Sequence, residues 1–226
     1  MEFRKAIVQM LNHQRCMQVD EHSICITRES QMGMYLTAQC LFEKDDYVLV
    51  ENPGYKPAWK AFEHAKANLL PVSVDKNGLL IDDVIYYLKS GKQIKAIYVT
   101  PHHQYPTTVT MSLNRRLELI ALSNQYGFTI IEDDYDNEFH FRYRPVLPLS
   151  SFTELKNYVY IGTMSKVFAP AIRIGYLASN DSALIEQVSS LRKIIDVQSD
   201  SIMEQAVLQL IKDGTIKRHI KKATNH

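Results

Sequence analysis

The chain has 226 residues, of which 46% are hydrophobic and 23% are charged, and its formal net charge is +1 at pH 7. This composition is typical of a globular protein with one substantial core. A net charge so close to zero excludes the strong positive field by which many proteins bind nucleic acid or anionic membranes.

Short apolar runs alternate with helical patterns along the chain, which indicates an α/β fold. In chain order, the pattern predicts helix 30–42, strand 47–50, helix 57–66, strand 69–72, helix 82–89, strand 96–99, helix 112–126, strands 128–131, 158–161 and 174–177, and helices 181–195 and 199–212. The strands are apolar nearly throughout, which is typical of strands buried on both faces. We therefore predict one domain with a mostly parallel central sheet flanked by helices.

Two helical segments carry further information. In helix 112–126, Leu117, Ile120, Ala121 and Asn124 share one face, and Gly127 ends the helix before the next strand. The basic tail 217–222 is interpreted as a solvated helix face rather than a DNA contact, because no other part of the chain is comparably basic.

The cysteines and the N-terminus indicate the compartment. Cys16, Cys25 and Cys40 are odd in number and lack CxxC spacing, so we expect buried thiols in a reducing environment. The charged N-terminus is not followed by the apolar run of a signal peptide, and no segment approaches the ~20 apolar residues that cross a bilayer. A cytoplasmic location is the resulting expectation.

An acidic segment begins with Glu132, where the predicted strand 128–131 ends. Asp133 therefore lies at the carboxyl end of a strand, where open α/β sheets bind their ligands. A carboxylate there can pair with a protonated ring nitrogen of a cofactor. Tyr135 points to the same side if the chain stays extended. A polar loop after a strand is the alternative interpretation.

The same segment offers oxygen ligands to a hard cation. The residues that could contribute are Glu132, Asp133, Asp134, Asp136, Glu138 and His140. Their spacing is not that of a calcium loop, which needs a central glycine. His102 and His103 point apart on an extended chain. We therefore predict a cofactor site and no metal ligand.

Lys166 lies in a segment of small and hydroxyl residues after the predicted strand 158–161. Most lysines are solvated surface charges, but here we expect partial desolvation, which favours the neutral amine that a Schiff base requires. Thr163 and Ser165 can donate to phosphate oxygens, and Arg173 can pair with them in bidentate fashion. Together with Asp133 and Tyr135, these groups suit pyridoxal 5′-phosphate (PLP).

These residues carry a resemblance to a known family. Thr163-Met164-Ser165-Lys166 with Arg173-Ile174-Gly175, behind Glu132-Asp133-Asp134-Tyr135, resembles the class I/II aminotransferases of PLP fold type I. The details are most similar to the aminotransferase-like domain of MocR-type regulators and their stand-alone relatives. Three further segments match in the family's order: Thr27-Arg28-Glu29-Ser30-Gln31, Asn52-Pro53-Gly54-Tyr55 and the loop 100–106. Such a combination is far more specific than any single motif.

The resemblance implies a role for each matched residue. Lys166 would form the Schiff base with PLP and transfer the Cα proton, Asp133 would hold the pyridine nitrogen protonated, and Tyr135 would tune the ring oxygen. Tyr55 would stack on the ring, and Gln104, in the loop beside the ring oxygen, would bind the cofactor. The residues implied to bind phosphate are Ser30, Gln31, Thr163, Ser165 and Arg173. The implied substrates are an amino acid and a 2-oxo acid, and the implied assembly is a homodimer.

Two positions depart from the family's pattern. Glu29 stands where the phosphate-binding segment usually has glycine, so a bulky anion would lie near the phosphate, and Thr108 stands where many aminotransferases have glycine. The resemblance covers residues 1–226 as the PLP-binding large domain. The resemblance implies that the family's C-terminal small domain, which carries the arginine for the substrate carboxylate, is missing, and we expect no N-terminal DNA-binding domain. We therefore expect a large-domain fragment.

Three functional hypotheses follow. The first is an aminotransferase-type domain that moves an amino group between an amino acid and a 2-oxo acid. The second is a PLP-binding effector domain of a MocR-type regulator, which binds PLP and an amine without turnover; a preceding helix-turn-helix would identify it. The third is an inactive truncated remnant, in which Glu29 weakens the phosphate site.

Overall fold

The computed structural model describes residues 2–139 and 146–224. Within these ranges the strands are β1 (Ile24–Thr27), β2 (Tyr47–Asn52), β3 (Asn68–Asp75), β4 (Gly78–Leu79), β5 (Ile94–Val99), β6 (Thr129–Asp134), β7 (Tyr158–Thr163) and β8 (Gly175–Ser179). The helices are α1 (Glu2–Gln14), α2 (Glu29–Leu41), α3 (Lys56–His64), α4 (Ile81–Lys89), α5 (Leu113–Tyr126), α6 (Ser182–Ile195), α7 (Ser201–Lys212) and α8 (Thr215–Thr224). Every predicted strand and helix is present, with shifted ends, whereas α1, β1 and β4 were not predicted and α8 was indicated only by the helix face assigned to the tail 217–222. His140, considered above as a metal ligand, lies outside the described residues.

The strands form one sheet in the order β1-β8-β7-β6-β5-β2-β3-β4. The central strands β7, β6, β5, β2 and β3 are parallel to their neighbours in that series. Strands β1, β8 and β4 join antiparallel at the two ends. The prediction of a mostly parallel sheet is confirmed.

Helices cover both faces of the sheet, which explains the unbroken apolar strands. Leu49, Ile97 and Ile130 belong to one core, shared with α1, α4, α5, α7 and α8. The alternate strand residues, such as Val48 and Ile131, belong to the other core, shared with α2, α3 and α6. Successive strand side chains point to opposite faces, so each strand needs apolar residues at nearly every position.

The buried face of α5 differs from the predicted one. Its buried residues are Arg116, Leu119, Ile120 and Ser123, whereas Leu117 is 46% exposed. Arg116 is fully buried because its guanidinium donates to the carbonyl oxygens of Met111, Pro101 and Leu147. A buried charged side chain needs such partners, and hydrophobic periodicity alone does not reveal them.

The cysteine prediction is correct only in part. Cys25 is buried and Cys40 is half-buried, but Cys16 is exposed. Cys16 follows α1 in the left-handed region, with a φ of 54°, so the chain turns there and directs the thiol to solvent. In the described part of the chain, no helix combines the length and apolarity that crossing a bilayer requires.

The parallel strands determine where the site lies. Strands β2, β5, β6 and β7 run in the same direction, so their carboxyl ends meet at one edge of the sheet. Tyr55 follows β2, Thr100 follows β5, Asp133 lies at the end of β6, and Lys166 follows β7. This edge is where open α/β sheets place their ligands.

Candidate active site

A cavity of about 390 Å³ opens at the carboxyl edge of the sheet. All predicted site residues except Gln104 line it: Lys166, Asp133, Tyr135, Tyr55, Ser30, Gln31, Thr163, Ser165 and Arg173. The amine, the carboxylate and the guanidinium thus share one cavity, although they come from different segments of the chain. Its further lining residues are Glu29, Pro57, Thr100, Tyr105 and Pro170.

Asp133 is the acidic group of the cavity and is only 3% exposed. Its Oδ2 accepts a hydrogen bond of 2.7 Å from the Tyr98 hydroxyl, whereas Oδ1 is buried with no hydrogen-bond partner in the described structure. Burial raises the pKa of Asp133 to about 7, and the Tyr98 hydrogen bond opposes this rise. An unpartnered buried carboxylate oxygen suits a ligand that brings an N–H donor.

Tyr135 lies beside Asp133 and is held through its hydroxyl. The hydroxyl donates to the His103 carbonyl oxygen at 2.9 Å, and His103 Nδ1 lies 2.8 Å from Asp136 Oδ2. Burial raises the pKa of Tyr135, so the phenol keeps its proton at neutral pH. The Asp136 contact raises the pKa of His103.

Lys166 lines the cavity, but its side chain is exposed. The expected partial desolvation is therefore not observed. The reason is its position in the turn after β7, at the open side of the cavity, with the exposed Pro170 and Arg173 as neighbours.

Tyr55 immediately precedes α3 and packs edge-on against Tyr105, with ring centroids 5.2 Å apart. Both rings line the cavity. This edge-on geometry fixes the orientation of the Tyr55 ring, because aromatic pairs favour it over direct face-to-face contact.

Gln104 lies outside the cavity lining and joins two loops. Its Nε2 donates to the carbonyl oxygens of Pro53 and Tyr105 at 2.8 and 2.6 Å, and its Oε1 accepts from the Thr107 hydroxyl at 2.6 Å. The amide is thus engaged by protein groups on both sides. The structure places Gln104 as a support for the loop that carries Tyr55, and not in contact with the cavity.

The predicted anion-binding end of the cavity is built around the N-terminus of α2. The free N–H groups and the positive dipole end of a helix favour anions. Thr163, at the end of β7, and Arg173, which precedes β8, line the cavity beside this helix N-terminus. The hydroxyl oxygen of Ser165 is buried without a hydrogen-bond partner in the described structure.

Glu29 occupies this end of the cavity. Its backbone lies in the left-handed region, with a φ of 77°, which costs about 1–2 kcal/mol for a residue with a side chain. The missing side chain of Gly175 leaves room for the Glu29–Ser30 peptide, because a Cβ atom on Gly175 would lie 2.3 Å from the Glu29 carbonyl carbon and 2.5 Å from the Ser30 nitrogen.

The Glu29 carboxylate already contacts the groups predicted to bind phosphate. Its Oε1 accepts a short hydrogen bond from the Thr163 hydroxyl. The same oxygen accepts a longer hydrogen bond, of 3.4 Å, from the Ser30 N–H. Its Oε2 lies 3.2 Å from Arg173 Nη1. The Glu29 carboxylate thus lies among the predicted phosphate ligands, and its obstruction of a phosphate stays a prediction.

The two ends of the cavity fit PLP differently. The free Asp133 Oδ1 and the Lys166 amine suit a pyridine ring that carries an aldehyde. The phosphate end has hydroxyls, a guanidinium and a helix N-terminus, which are the groups that bind phosphate. A phosphate can use all of them only if the Glu29 carboxylate leaves.

Sequence reasoning missed two supporting residues, Tyr98 and Glu51. The Glu51 carboxylate accepts hydrogen bonds from the Thr100 N–H and hydroxyl at 3.0 and 2.7 Å, and burial raises the pKa of Glu51 to about 7. Tyr98 lies within the apolar strand β5, where a tyrosine gives no signal that its hydroxyl meets an acid from the neighbouring strand.

Comparison with known proteins identifies the family. Residues 1–225 match the model of aminotransferase class I and II. The aromatic-amino-acid aminotransferase 1 of Thermococcus litoralis is 28% identical over 223 residues, which cover 97% of this chain and 53% of that protein. The HTH-type transcriptional regulator YdeL of Bacillus subtilis is 31% identical over 224 residues, which cover 98% and 46%. The chain spans about half the length of the curated relatives it matches.

Solved structures agree with the fold. The multiple substrate aminotransferase of Thermococcus profundus superposes with a TM-score of 0.91 at 27% identity, covering 99% of this chain and 56% of that one. The kynurenine aminotransferase of Pyrococcus horikoshii, solved in complex with PMP, gives 0.93 at 25% identity with the same coverage. The chain belongs to the aminotransferase class I and II family and has the fold of PLP fold type I enzymes.

Proposed function

We propose that this chain is the PLP-binding large domain of an aminotransferase-type protein, which moves an amino group between an amino acid and a 2-oxo acid. The observation that carries the proposal is the convergence of Lys166, Asp133 and Tyr135 on one cavity. PLP, when bound, supplies an aldehyde that condenses with amines and a ring that stabilises a carbanion. The family match and the aminotransferase relatives support the assignment of this cofactor.

The roles of the protein groups follow from their surroundings. The Lys166 amine is the proposed covalent attachment point and, when released, the acid and base that moves a proton at Cα. Asp133 Oδ1 would accept a hydrogen bond from the protonated ring nitrogen, while the Tyr98 hydroxyl donates to Oδ2. The Tyr135 phenol keeps its proton, and on cofactor binding it would donate its hydrogen bond to the ring oxygen in place of the His103 carbonyl oxygen.

The remaining groups orient the ring and its phosphate. Tyr55, braced by Tyr105, covers a face of the ring. Ser30, Gln31, Thr163, Ser165 and Arg173 are the proposed phosphate ligands. Gln104 contributes indirectly, because its amide ties the Tyr55 loop to the loop 100–107.

A second candidate function is a PLP-binding effector domain without turnover. The similarity to YdeL of Bacillus subtilis and to the MocR regulatory protein of Rhizobium meliloti, 24% identical over 222 residues, favours it. For either function we propose a homodimer, as in the family; light scattering of the purified chain tests this assembly.

The experiment that tests the cavity assignment is a PLP titration followed by borohydride reduction and peptide mapping. We expect a yellow lysine adduct that maps to Lys166 and is absent in Lys166→Ala, whereas Lys156→Ala, which removes an exposed lysine, behaves like the wild type. Label on another lysine, or persistence of the adduct in Lys166→Ala, contradicts the assignment. Release of a 2-oxo acid after addition of an amino acid then distinguishes the enzyme from the effector domain.

A further inference from the structure

The anion-binding end of the cavity contains an anion that belongs to the protein itself. Glu29 is only 8% exposed, and its carboxylate contacts the Thr163 hydroxyl, the Ser30 N–H and the Arg173 guanidinium. These are three of the groups that would hold the phosphate of a bound ligand. The carboxylate therefore takes the position of a ligand anion.

The backbone keeps Glu29 in this position. The residue adopts a positive φ of 77°, and Gly175 packs directly against the Glu29–Ser30 peptide. Strand pairing fixes Gly175 in turn, because it pairs with Thr27 of β1 and with Thr163 of β7. Residues held in unfavourable backbone conformations tend to lie at functional sites, and here the conformation aims a carboxylate into the cavity.

The charges at this end determine which ligand it accepts. Arg173 and Glu29 neutralise each other, so the pair offers no net positive charge to a phosphate dianion. A phosphate placed beside the carboxylate would meet like charge, which strongly disfavours binding. A neutral hydroxymethyl group would instead donate a hydrogen bond to the carboxylate, which is a charge-assisted contact.

We propose that Glu29 selects the substituent of the ligand, so that the cavity disfavours the phosphorylated pyridine aldehyde, PLP, relative to its uncharged hydroxymethyl form, pyridoxal. This inference rests on the proposed function only in using Lys166 as the attachment point. The covalent step is the same for both ligands: the neutral amine condenses with the aldehyde, a C=N bond replaces the C=O bond, and one water leaves.

The test compares both aldehydes across variants of the full chain. Wild type, Glu29→Gly and Glu29→Gln are titrated with PLP and with pyridoxal, and the adduct is followed by absorbance, then reduced with borohydride and mapped. Glu186→Gln, which removes an exposed carboxylate on α6, is the matched control. The measured quantity is the ratio of the Kd for pyridoxal to the Kd for PLP. In solution, the hydroxymethyl group of free pyridoxal closes onto its own aldehyde as a hemiacetal, which changes the apparent Kd for pyridoxal by the same factor with every variant. The comparison of ratios between variants is therefore unaffected.

We expect the ratio to rise at least about tenfold in Glu29→Gly, because PLP binding tightens while pyridoxal binding does not. Glycine suits the positive φ, and the isosteric Glu29→Gln, which should raise the ratio in the same direction, provides a second variant if Glu29→Gly does not fold. The ratio in Glu186→Gln should equal that of the wild type. A rise below tenfold in the folded Glu29 variants, with Lys166 labelled, overturns this inference alone. If neither aldehyde labels Lys166 in any protein, the proposed function fails and this inference fails with it.

Discussion

The Tyr98 hydroxyl lies 2.7 Å from Asp133 Oδ2 and donates a hydrogen bond to it. The two residues come from adjacent parallel strands, β5 and β6. This contact determines which oxygen of the carboxylate stays available to a ligand, because Oδ1 is left buried without a partner in the described structure. The site therefore depends on a residue that never touches the cavity.

Removal of the Tyr98 hydroxyl should weaken cofactor binding. In Tyr98→Phe, the carboxylate loses a donor that favours its ionised form and fixes its rotation, so the pKa of Asp133 should rise further. We expect the Kd for PLP at pH 7.5 to increase about tenfold, which matches the loss of one hydrogen bond to a charged group. Spectroscopic titration measures it. Tyr158→Phe, which removes a buried phenol hydroxyl at the start of β7, is the control, and an equal loss there would contradict the role of Tyr98.

The stability of the unliganded chain should fall as pH rises from about 4 to about 7. Burial raises the pKa of Asp133 and of Glu51 to about 7, so in this window the unfolded chain releases protons that the folded chain keeps. Stability decreases wherever the folded state binds more protons, at up to about 1.4 kcal/mol per pKa unit for each group.

The variant Asp133→Asn isolates the contribution of one carboxylate. Its free energy of unfolding should decline less between pH 5 and pH 8 than that of the wild type, and the variant should gain most relative to the wild type at pH 8. Urea denaturation at pH 5, 6.5 and 8 measures both slopes. Parallel slopes for the two proteins would show that Asp133 does not titrate in this range.

Arg15 should be essential for stability although it lies outside the cavity. Its guanidinium is buried and lies 2.5 Å from Glu138 Oε1 and 3.7 Å from Asp134 Oδ2. Removal of one partner leaves buried charge uncompensated, which costs about 3–5 kcal/mol. We expect Arg15→Met to lose this amount in urea denaturation, and the double variant Arg15→Met/Glu138→Gln to recover part of it. Lys5→Met, at an exposed site on α1, should unfold like the wild type. A loss below about 1 kcal/mol in Arg15→Met would refute this view of the pair.

Gly175 should tolerate no side chain, because the Glu29–Ser30 peptide fills the space. Gly175→Ala should lower the free energy of unfolding by about 1–3 kcal/mol or more, as overpacking does. It should also displace the N-terminus of α2 and abolish binding of either aldehyde. Gly33→Ala, in α2 itself, is a matched control, since a Cβ atom on Gly33 would meet its nearest neighbours at an ordinary contact distance of 3.6 Å. We expect Gly33→Ala to be neutral or slightly stabilising. Equal effects of the two substitutions on unfolding and binding would disprove the close approach.

The amino-acid sequence alone determined the layered fold and the neighbourhood of the site. Its apolar runs predicted each central strand, because a strand covered on both faces needs apolar residues at nearly every position. The place of Asp133 at the carboxyl end of a strand predicted a ligand site there. The combination of Lys166, Asp133, Tyr135 and Arg173 predicted that these residues share that site, because together they suit one cofactor. Those predictions depended on local periodicity and on the chemistry of the matched residues.

Only the tertiary structure decided which polar groups meet. The Tyr98–Asp133 and Thr163–Glu29 contacts join residues far apart in sequence, and the face of α5 is set by carbonyl oxygens that bind Arg116. Gln104 belongs to the matched loop, yet its amide is used by backbone groups and does not line the cavity. Hydrogen bonds depend on distance and direction in three dimensions, and a linear sequence reports neither.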